Sequence, residues 1–128
     1  MKKILFILLV AAFSFTSCKE EVKPTKQEIT QNVRYQLFQT QNIWTFLKLD
    51  TQNGKIWQVQ YSLDESYRGE VELNTKSLVE GGNAENGRFT LYPTQNIFNF
   101  ILLDQQNGKM WQVQWNNEAA NRGIVPIK

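Results

Sequence analysis

Residues 49–60 read LDTQNGKIWQVQ, and residues 103–114 repeat them 54 positions later as LDQQNGKMWQVQ. The same shift lays residues 34–74 over residues 88–128 without a gap, with 20 identities in 41 aligned pairs. Such self-similarity is the signature of a duplicated structural unit. The two copies are therefore assigned to repeats 33–74 and 87–128.

Each copy shows the alternation of apolar and polar residues that is typical of β-strands. Trp57, Val59 and Tyr61 alternate with glutamines, and the second copy repeats this pattern. The Asn-Gly pairs at 53–54 and 107–108 favour tight reversals, because both residue types accept positive φ angles. Each pair therefore marks a hairpin.

A fourth, weaker strand is predicted over residues 68–73 and 122–127, where glycines and a proline favour a sheet edge. The fold class is all-β, with two tandem four-stranded antiparallel units and no helix after the first seventeen residues. About eight such strands suit a small barrel or a sandwich. The alternative is a pair of propeller-like blades, which only oligomerisation would complete.

The hairpin turns also predict which residues lie side by side. A two-residue loop would pair Trp57 with Asp50, whereas a three-residue loop pairs Trp57 with Leu49 and Val59 with Leu47. The three-residue loop keeps one face apolar, so that register is predicted. Similar turns at residues 40–42 and in the second copy give the other expected pairs, Tyr35 with Leu47 and Phe89 with Ile101.

The first seventeen residues have the layout of an export signal. Two lysines precede an uncharged apolar run over residues 4–15, which is too short to span a membrane as a lasting helix. Residues 15–18 read FTSC, which resembles the lipobox that lipoprotein signal peptidase cuts ahead of a lipidated cysteine. The resemblance implies a signal peptide over residues 1–17 and a palmitate-type lipid anchor on Cys18. An ordinary secretory signal with an incidental cysteine is the alternative.

Residues 18–32 carry many charges and few apolar side chains, so they are predicted to be a flexible tether. Residues 19–21 read KEE, which resembles the short acidic signals that some Gram-negative lineages use to send lipoproteins to the outer face of the outer membrane. A solvated linker is the other interpretation. The expected protein is exported and lipid-anchored to the outer membrane, with a single β domain over residues 33–128.

Charge and cysteine content narrow the classes of partner. Cleavage before Cys18 would remove two of the 14 basic residues and leave 12 against 12 acidic ones. A neutral domain exerts no long-range attraction on phosphate backbones, so nucleic acid is not an expected partner. Cys18 is the only cysteine, so an intramolecular disulfide is impossible.

Catalytic side chains are scarce in this sequence. It has no histidine, and its cysteine is assigned to the lipid, which removes Ser-His and Cys-His nucleophile pairs and Cys/His zinc sites. Asp50 and Asp104 stand at matching positions, as a glycosidase pair would, but aspartate commonly caps turn amides. No phosphate loop, dinucleotide fingerprint or calcium loop is found. The sequence predicts no catalytic residue, no metal site and no cofactor.

Two arginine positions also recur between the copies. Arg34 matches Arg88, and Arg68 matches Arg122. Such residues can clamp a carboxylate or phosphate ligand. Pairing with the two aspartates, or with carbonyls at strand ends, is the favoured interpretation.

The predicted register gives each central hairpin a second face of aromatic rings and side-chain amides. Rings stack on apolar surfaces while amides form hydrogen bonds, a combination that suits sugars. Burial of these rings inside the domain is the alternative, since large aromatic side chains usually lie in the core. The candidate ligand-binding residues are Trp44, Phe46, Gln58, Gln60, Phe98, Phe100, Gln112 and Gln114.

The sequence favours a non-catalytic binding or interaction domain of the cell envelope, with a glycan or a protein as partner and the membrane as its anchor. A structural or inhibitory envelope subunit is the alternative. The pattern L-D-x-x-x-G-K-x-W at residues 49–57 and 103–111 resembles small exported proteins of tandem β-hairpins. That resemblance covers most of the chain after the signal and implies no activity.

Overall fold

The computed structural model describes residues 33–128. The predicted signal peptide over residues 1–17, the lipidation site Cys18 and the tether over residues 18–32 lie outside the described residues. The described part forms eight strands: β1 Tyr35–Gln39, β2 Thr45–Asp50, β3 Ile56–Gln60, β4 Gly69–Asn74, β5 Phe89–Pro93, β6 Asn99–Asp104, β7 Met110–Gln114 and β8 Gly123–Ile127. Single 3₁₀ turns, Glu65–Tyr67 and Ala119–Asn121, precede β4 and β8.

The strands form two four-stranded antiparallel sheets, one from each repeat. Strand order is β1-β2-β3-β4 in the first sheet and β5-β6-β7-β8 in the second, so consecutive strands are neighbours. The predicted all-β fold with two four-stranded units is confirmed, and β4 and β8 lie at sheet edges as expected. Within the described residues the sheets do not close into a barrel.

The central hairpin of each sheet turns through four residues rather than three. The Asp50 N–H donates to the Lys55 carbonyl at 2.9 Å, and the Gly54 N–H donates to the Asp50 carbonyl at 3.0 Å. Gly54 has a φ of 78°, and its counterpart Gly108 has a φ of 77°, where a side chain would be strained. The Asp50 carboxylate accepts from the Gln52 N–H, so the aspartate caps the turn.

The predicted register is therefore wrong by one residue. Trp57 pairs with Lys48 instead of Leu49, and Val59 pairs with Phe46. A one-residue slip moves each side chain to the opposite face relative to its partners. The outer pairs differ as well, because the loop between β1 and β2 spans residues 40–44: Tyr35 pairs with Asp50 and Phe89 with Asp104, instead of with Leu47 and Ile101.

The observed register defines two faces on each sheet. We call one the tryptophan face; it consists of Tyr35, Leu37, Phe46, Lys48, Trp57, Val59, Tyr61, Glu70 and Glu72 in the first sheet and of Phe89, Leu91, Phe100, Leu102, Trp111, Val113, Trp115, Ile124 and Pro126 in the second. We call the other the leucine face; its members are Gln36, Phe38, Thr45, Leu47, Leu49, Ile56, Gln58, Gln60, Val71 and Leu73 in the first sheet and Thr90, Tyr92, Asn99, Ile101, Leu103, Met110, Gln112, Gln114, Val125 and Ile127 in the second.

The core lies where the tryptophan face of the second sheet packs on the leucine face of the first. Leu47 and Leu49 from one side and Phe89 and Leu102 from the other are fully buried in one apolar cluster. Gln58 is also buried, and its Oε1 accepts from the Asn116 N–H across the interface at 3.2 Å. Strand β2 approaches β5, and β4 approaches its counterpart β8. The sheets therefore stack with unlike faces in contact.

Candidate functional site

The tryptophan face of the first sheet is an aromatic surface open to solvent. Trp44 and Tyr61 are 41% and 47% exposed, with ring centroids 5.2 Å apart. Phe46 packs on Tyr61 at 5.9 Å, and Tyr35 meets Trp57 edge to face at 6.5 Å. Aromatic pairs at these separations are mutually attractive, so the rings form a preordered apolar surface.

An ion pair crosses this surface. Lys48 Nζ lies 2.5 Å from the Glu70 carboxylate and 4.7 Å from the centroid of the Trp57 ring. The equivalent positions in the second sheet hold Leu102 and Ile124, which face the core. The charges of Lys48 and Glu70 compensate each other. Glu72, which pairs with Trp57 across β3 and β4, adds one exposed carboxylate at the edge of this aromatic surface.

The same face is inaccessible in the second sheet. Phe89, Leu91 and Trp115 are 0%, 3% and 2% exposed, whereas their counterparts Tyr35, Leu37 and Tyr61 are 52%, 59% and 47% exposed. The chemical character of these positions is retained between the copies. An apolar surface that is packed in one repeat is thus uncovered in the other.

The leucine face shows the reverse difference. In the first sheet Leu47, Leu49 and Ile56 are completely buried. In the second sheet this face is uncovered, and exposed apolar side chains lie across it: Tyr92, Met110, Val125 and Ile127. Contiguous exposed apolar surface of this kind marks an interaction site more often than scattered single residues do. The domain therefore has two open apolar faces, one on each outer side.

The structure does not bring the predicted ligand-binding residues together on one face. Phe46 lies on the tryptophan face, whereas Gln58 and Gln60 lie on the leucine face, because the register differs from the predicted one. In the second sheet Phe100 is buried and Gln112 is exposed on the opposite side. The remaining three candidates follow the same division: Trp44 and Phe98 pack against Tyr61 and Trp115, and Gln114 lies on the leucine face.

Sequence reasoning missed Tyr35, Leu37 and Tyr61 as part of the candidate surface. The alternation in residues 57–61 places Trp57, Val59 and Tyr61 on one side, and that signal was present in the sequence. The predicted register instead places Trp57 and Val59 beside Leu49 and Leu47 on a single apolar core face. Alternation identifies the two faces of a sheet but not which of them is covered.

The recurring arginine and aspartate residues form equivalent ion pairs, as the favoured interpretation predicted. Arg34 lies 3.2 Å from Asp50, with half of the arginine side chain exposed, and Arg88 lies 2.8 Å from Asp104, with both side chains buried. Burial raises the pKa of the Asp104 carboxyl, but hydrogen bonds from Arg88 and from the Gln106 N–H outweigh it, so the net pKa lies below the ordinary value. Both carboxylates act as fixed acceptors in turns.

Arg68 and Arg122 bind carbonyls before each edge strand. Arg68 donates to the carbonyls of Ser62 and Leu63 at 2.6 and 2.8 Å. Arg122 donates to the carbonyls of Asn116 and Asn117 at 2.6 and 2.7 Å. Pairing of these arginines with backbone carbonyls near strand ends is therefore confirmed.

Other kinds of site find little support in the described residues. No group of three His, Cys, Asp or Glu side chains between residues 33 and 128 could hold a metal ion. In the same range, no helix has the length and apolar character needed to cross a membrane. Comparison with protein-family models, curated proteins and solved structures finds no match to this chain. The geometry of the two open faces is therefore the basis of the candidate site.

Proposed function

We propose that this protein is a non-catalytic interaction module of the cell envelope, which binds a protein partner through the tryptophan face of its first sheet. In this proposal the chain is exported by residues 1–17 and held at the outer membrane by a lipid on Cys18. The tether over residues 18–32 then carries the β domain toward the cell exterior. The proposed architecture of the domain is a two-sheet sandwich, since each sheet keeps two unpaired edge strands.

One observation carries the binding proposal, the difference in exposure between equivalent apolar residues. Leu37 is 59% exposed and its counterpart Leu91 is 3% exposed. Selection for solubility alone would favour polar residues at positions that face water in a monomer. Retention of Tyr35, Leu37 and Trp57 on an open face supports a partner that covers them.

A protein suits this face better than a glycan. The equivalent face of the second sheet already packs against a protein surface, the leucine face of the first sheet. The glutamines that made a sugar site attractive, Gln58 and Gln60, lie on the opposite face from the rings. Glycan binding keeps one favourable feature, the exposed ring pair of Trp44 and Tyr61 at 5.2 Å.

Site-specific photocrosslinking in cells tests the proposal. The full chain, produced in its own host, carries benzoylphenylalanine at Tyr35, on the open tryptophan face. A matched chain carries the same group at Tyr67, which is 64% exposed but lies in a 3₁₀ turn away from that face. We expect a protein adduct from position 35 that is absent, or at least about tenfold weaker, from position 67.

The adduct is identified by mass spectrometry of the crosslinked peptide. A discrete protein adduct that disappears when Trp57→Glu is added supports the proposal. Equal labelling from positions 35 and 67 contradicts it, because the tryptophan face would then be no more occupied than the rest of the surface. Protection of Trp57 by purified polysaccharide, without any protein adduct, would contradict the protein proposal and favour a glycan.

A further inference from the structure

We propose that the partner of the open tryptophan face is the free leucine face of a second copy of this chain, so that the protein assembles head to tail. This inference rests on the proposed function and names the partner of the same surface. It follows from the interface that the two sheets already form within one chain. That interface joins unlike faces, so it leaves an unused face of each kind at the two ends of the stack.

The free leucine face has apolar residues at the positions that are buried in the covered leucine face. Ile101 corresponds to Leu47, Leu103 to Leu49 and Met110 to Ile56, which are completely buried by the stacking in the first sheet. The remaining equivalent positions are similar in character: Tyr92 for Phe38, Gln112 for Gln58, Val125 for Val71 and Ile127 for Leu73. The free leucine face of the second sheet therefore resembles the leucine face of the first sheet, which packs against a tryptophan face within the chain.

The open tryptophan face is equally close to its packed counterpart. Trp57 and Val59 are identical to Trp111 and Val113, and Leu37 is identical to Leu91. The charged exceptions are Lys48, Glu70 and Glu72, which replace Leu102, Ile124 and Pro126. Lys48 and Glu70 bond to each other at 2.5 Å. The bonded pair adds no net charge to the face, and Glu72 lies on the edge strand β4, where its exposed carboxylate can stay hydrated. The second leucine face carries the amide and hydroxyl groups of Asn99, Gln112 and Thr90.

The geometry of the stack allows repetition. Strand β4 approaches β8, its own counterpart, so the second sheet lies over the first with equivalent edges on the same side. An interface between unlike faces is heterologous, and its repetition gives a closed ring or an open filament. Each repeat also has a cleft beside its last two strands. In the first repeat this cleft lies beside β3 and β4, is lined by Gln60 and Tyr67, and is closed on one side by Asn117 and Arg122 of the second repeat.

The equivalent cleft beside β7 and β8, lined by Gln114 and Ile124, has no wall from a further repeat. A third sheet stacked on the second would supply that wall from the residues that correspond to Asn117 and Arg122, which are Leu63 and Arg68 of the next copy. Within a single chain, the cleft of the first repeat is therefore closed by the second repeat, whereas the cleft of the second repeat stays open on that side. This second observation also places another copy on the leucine face of the second sheet.

The test is a complementation experiment on the full chain in mild detergent, with enough micelles that each holds fewer than one chain on average. Leu37→Glu places a charge on the tryptophan face, and Met110→Glu places one on the leucine face; both residues are exposed in the single chain. The control is Ser77→Glu, at an exposed residue of the segment that joins the two sheets, outside both faces and both clefts. Mass is followed against concentration by light scattering.

We expect the unmodified chain and the Ser77→Glu control to form dimers and larger species. Each face variant alone should lose self-association by at least about tenfold, the effect of one charge in an apolar contact. An equimolar mixture of Leu37→Glu and Met110→Glu should form a one-to-one dimer and stop there, because one intact face of each kind remains. Formation of that dimer also shows that both variants are folded.

Three results would overturn the inference: a monomeric unmodified chain at all concentrations, self-association of Leu37→Glu equal to the control, or a mixture that gives no heterodimer. The crosslinking experiment separates this failure from failure of the proposed function. A monomeric chain whose position 35 crosslinks a different protein retains the proposed function and loses only the self-assembly. A monomeric chain without any specific adduct loses both.

Discussion

The second sheet buries its tryptophan face and leaves its leucine face in solvent, whereas the first sheet does the reverse. The two repeats share 20 of 41 aligned residues and the same strand order. The open tryptophan face has Lys48, Glu70 and Glu72 where the packed one has Leu102, Ile124 and Pro126, but its other positions stay apolar, so local sequence explains only part of the difference in exposure. Position in the stack explains the rest: each sheet has two apolar faces and only one neighbour. The comparison teaches that the same apolar pattern is covered in one repeat and open in the other according to the place of its sheet in the stack.

The largest expected effect comes from truncating the two equivalent tryptophans. Trp111 is 8% exposed within the core, whereas Trp57 is only partly buried. Trp111→Ala should lower the free energy of unfolding by about 4 kcal/mol, the usual cost of emptying a buried aromatic site. Trp57→Ala should cost about half as much or less in dilute protein. Urea unfolding at low protein concentration measures both.

Equal losses for the two tryptophan variants would show that the tryptophan face of the first sheet is covered even in a single chain. If the urea dependence of the unfolding free energy differs between the two variants, as well as the midpoint, the variants differ in the surface exposed on unfolding. Trp111→Phe provides a milder variant, since it keeps a ring in the core and should retain a cooperative transition.

The two ion pairs give the next largest difference. Asp104→Asn leaves the buried Arg88 without a carboxylate and should cost about 3 kcal/mol. Asp50→Asn should cost less, because half of the Arg34 side chain is exposed and water can solvate its charge. Thermal and urea unfolding of both variants at pH 7 provide the comparison.

The same pair predicts a pH dependence. The folded pKa of Asp104 is lowered, so its contribution is fully present above the ordinary aspartate value and is lost as pH falls through the lower folded pKa. The unmodified chain should therefore lose stability below about pH 4 more steeply than Asp104→Asn does. Parallel curves for the two proteins would mean that the Arg88–Asp104 bond contributes nothing to acid stability.

The two equivalent turn glycines separate the cost of a steric clash from the cost of backbone strain. Gly54 and Gly108 have nearly the same positive φ, but a Cβ on Gly54 would lie 3.0 Å from Leu78 and 3.2 Å from Phe89, whereas one on Gly108 would meet nothing within 4 Å. Gly108→Ala should cost about 1 kcal/mol from strain alone, and Gly54→Ala about 2 kcal/mol. Similar values for both would show that Leu78 moves aside freely.

The sequence predicted the repeat, the strands and the arginine pairs, because each depends on local pattern or on side-chain chemistry. It did not predict the register, because Asn53 and Gly54 are compatible with loops of several lengths, and a one-residue difference exchanges the faces. The open face at Tyr35 and Trp57 could not be predicted either. Its exposure depends on which sheet lies at the end of the stack, a property of tertiary packing.

The smallest expected effect on stability, and the sharpest test of the comparison, comes from the double variant Lys48→Leu with Glu70→Ile, which installs the residues found at the equivalent Leu102 and Ile124. The exposed Lys48–Glu70 pair is worth at most about 1 kcal/mol, so the unfolding free energy should change by less than that. Assembly should tighten by about fivefold, because two apolar side chains replace the ion pair in the contact. Lys48→Leu alone is the matched control, since it leaves Glu70 without its partner and should weaken assembly. Weaker assembly of the double variant than of the unmodified chain would assign the Lys48–Glu70 pair itself to the contact and would break the equivalence between the two tryptophan faces.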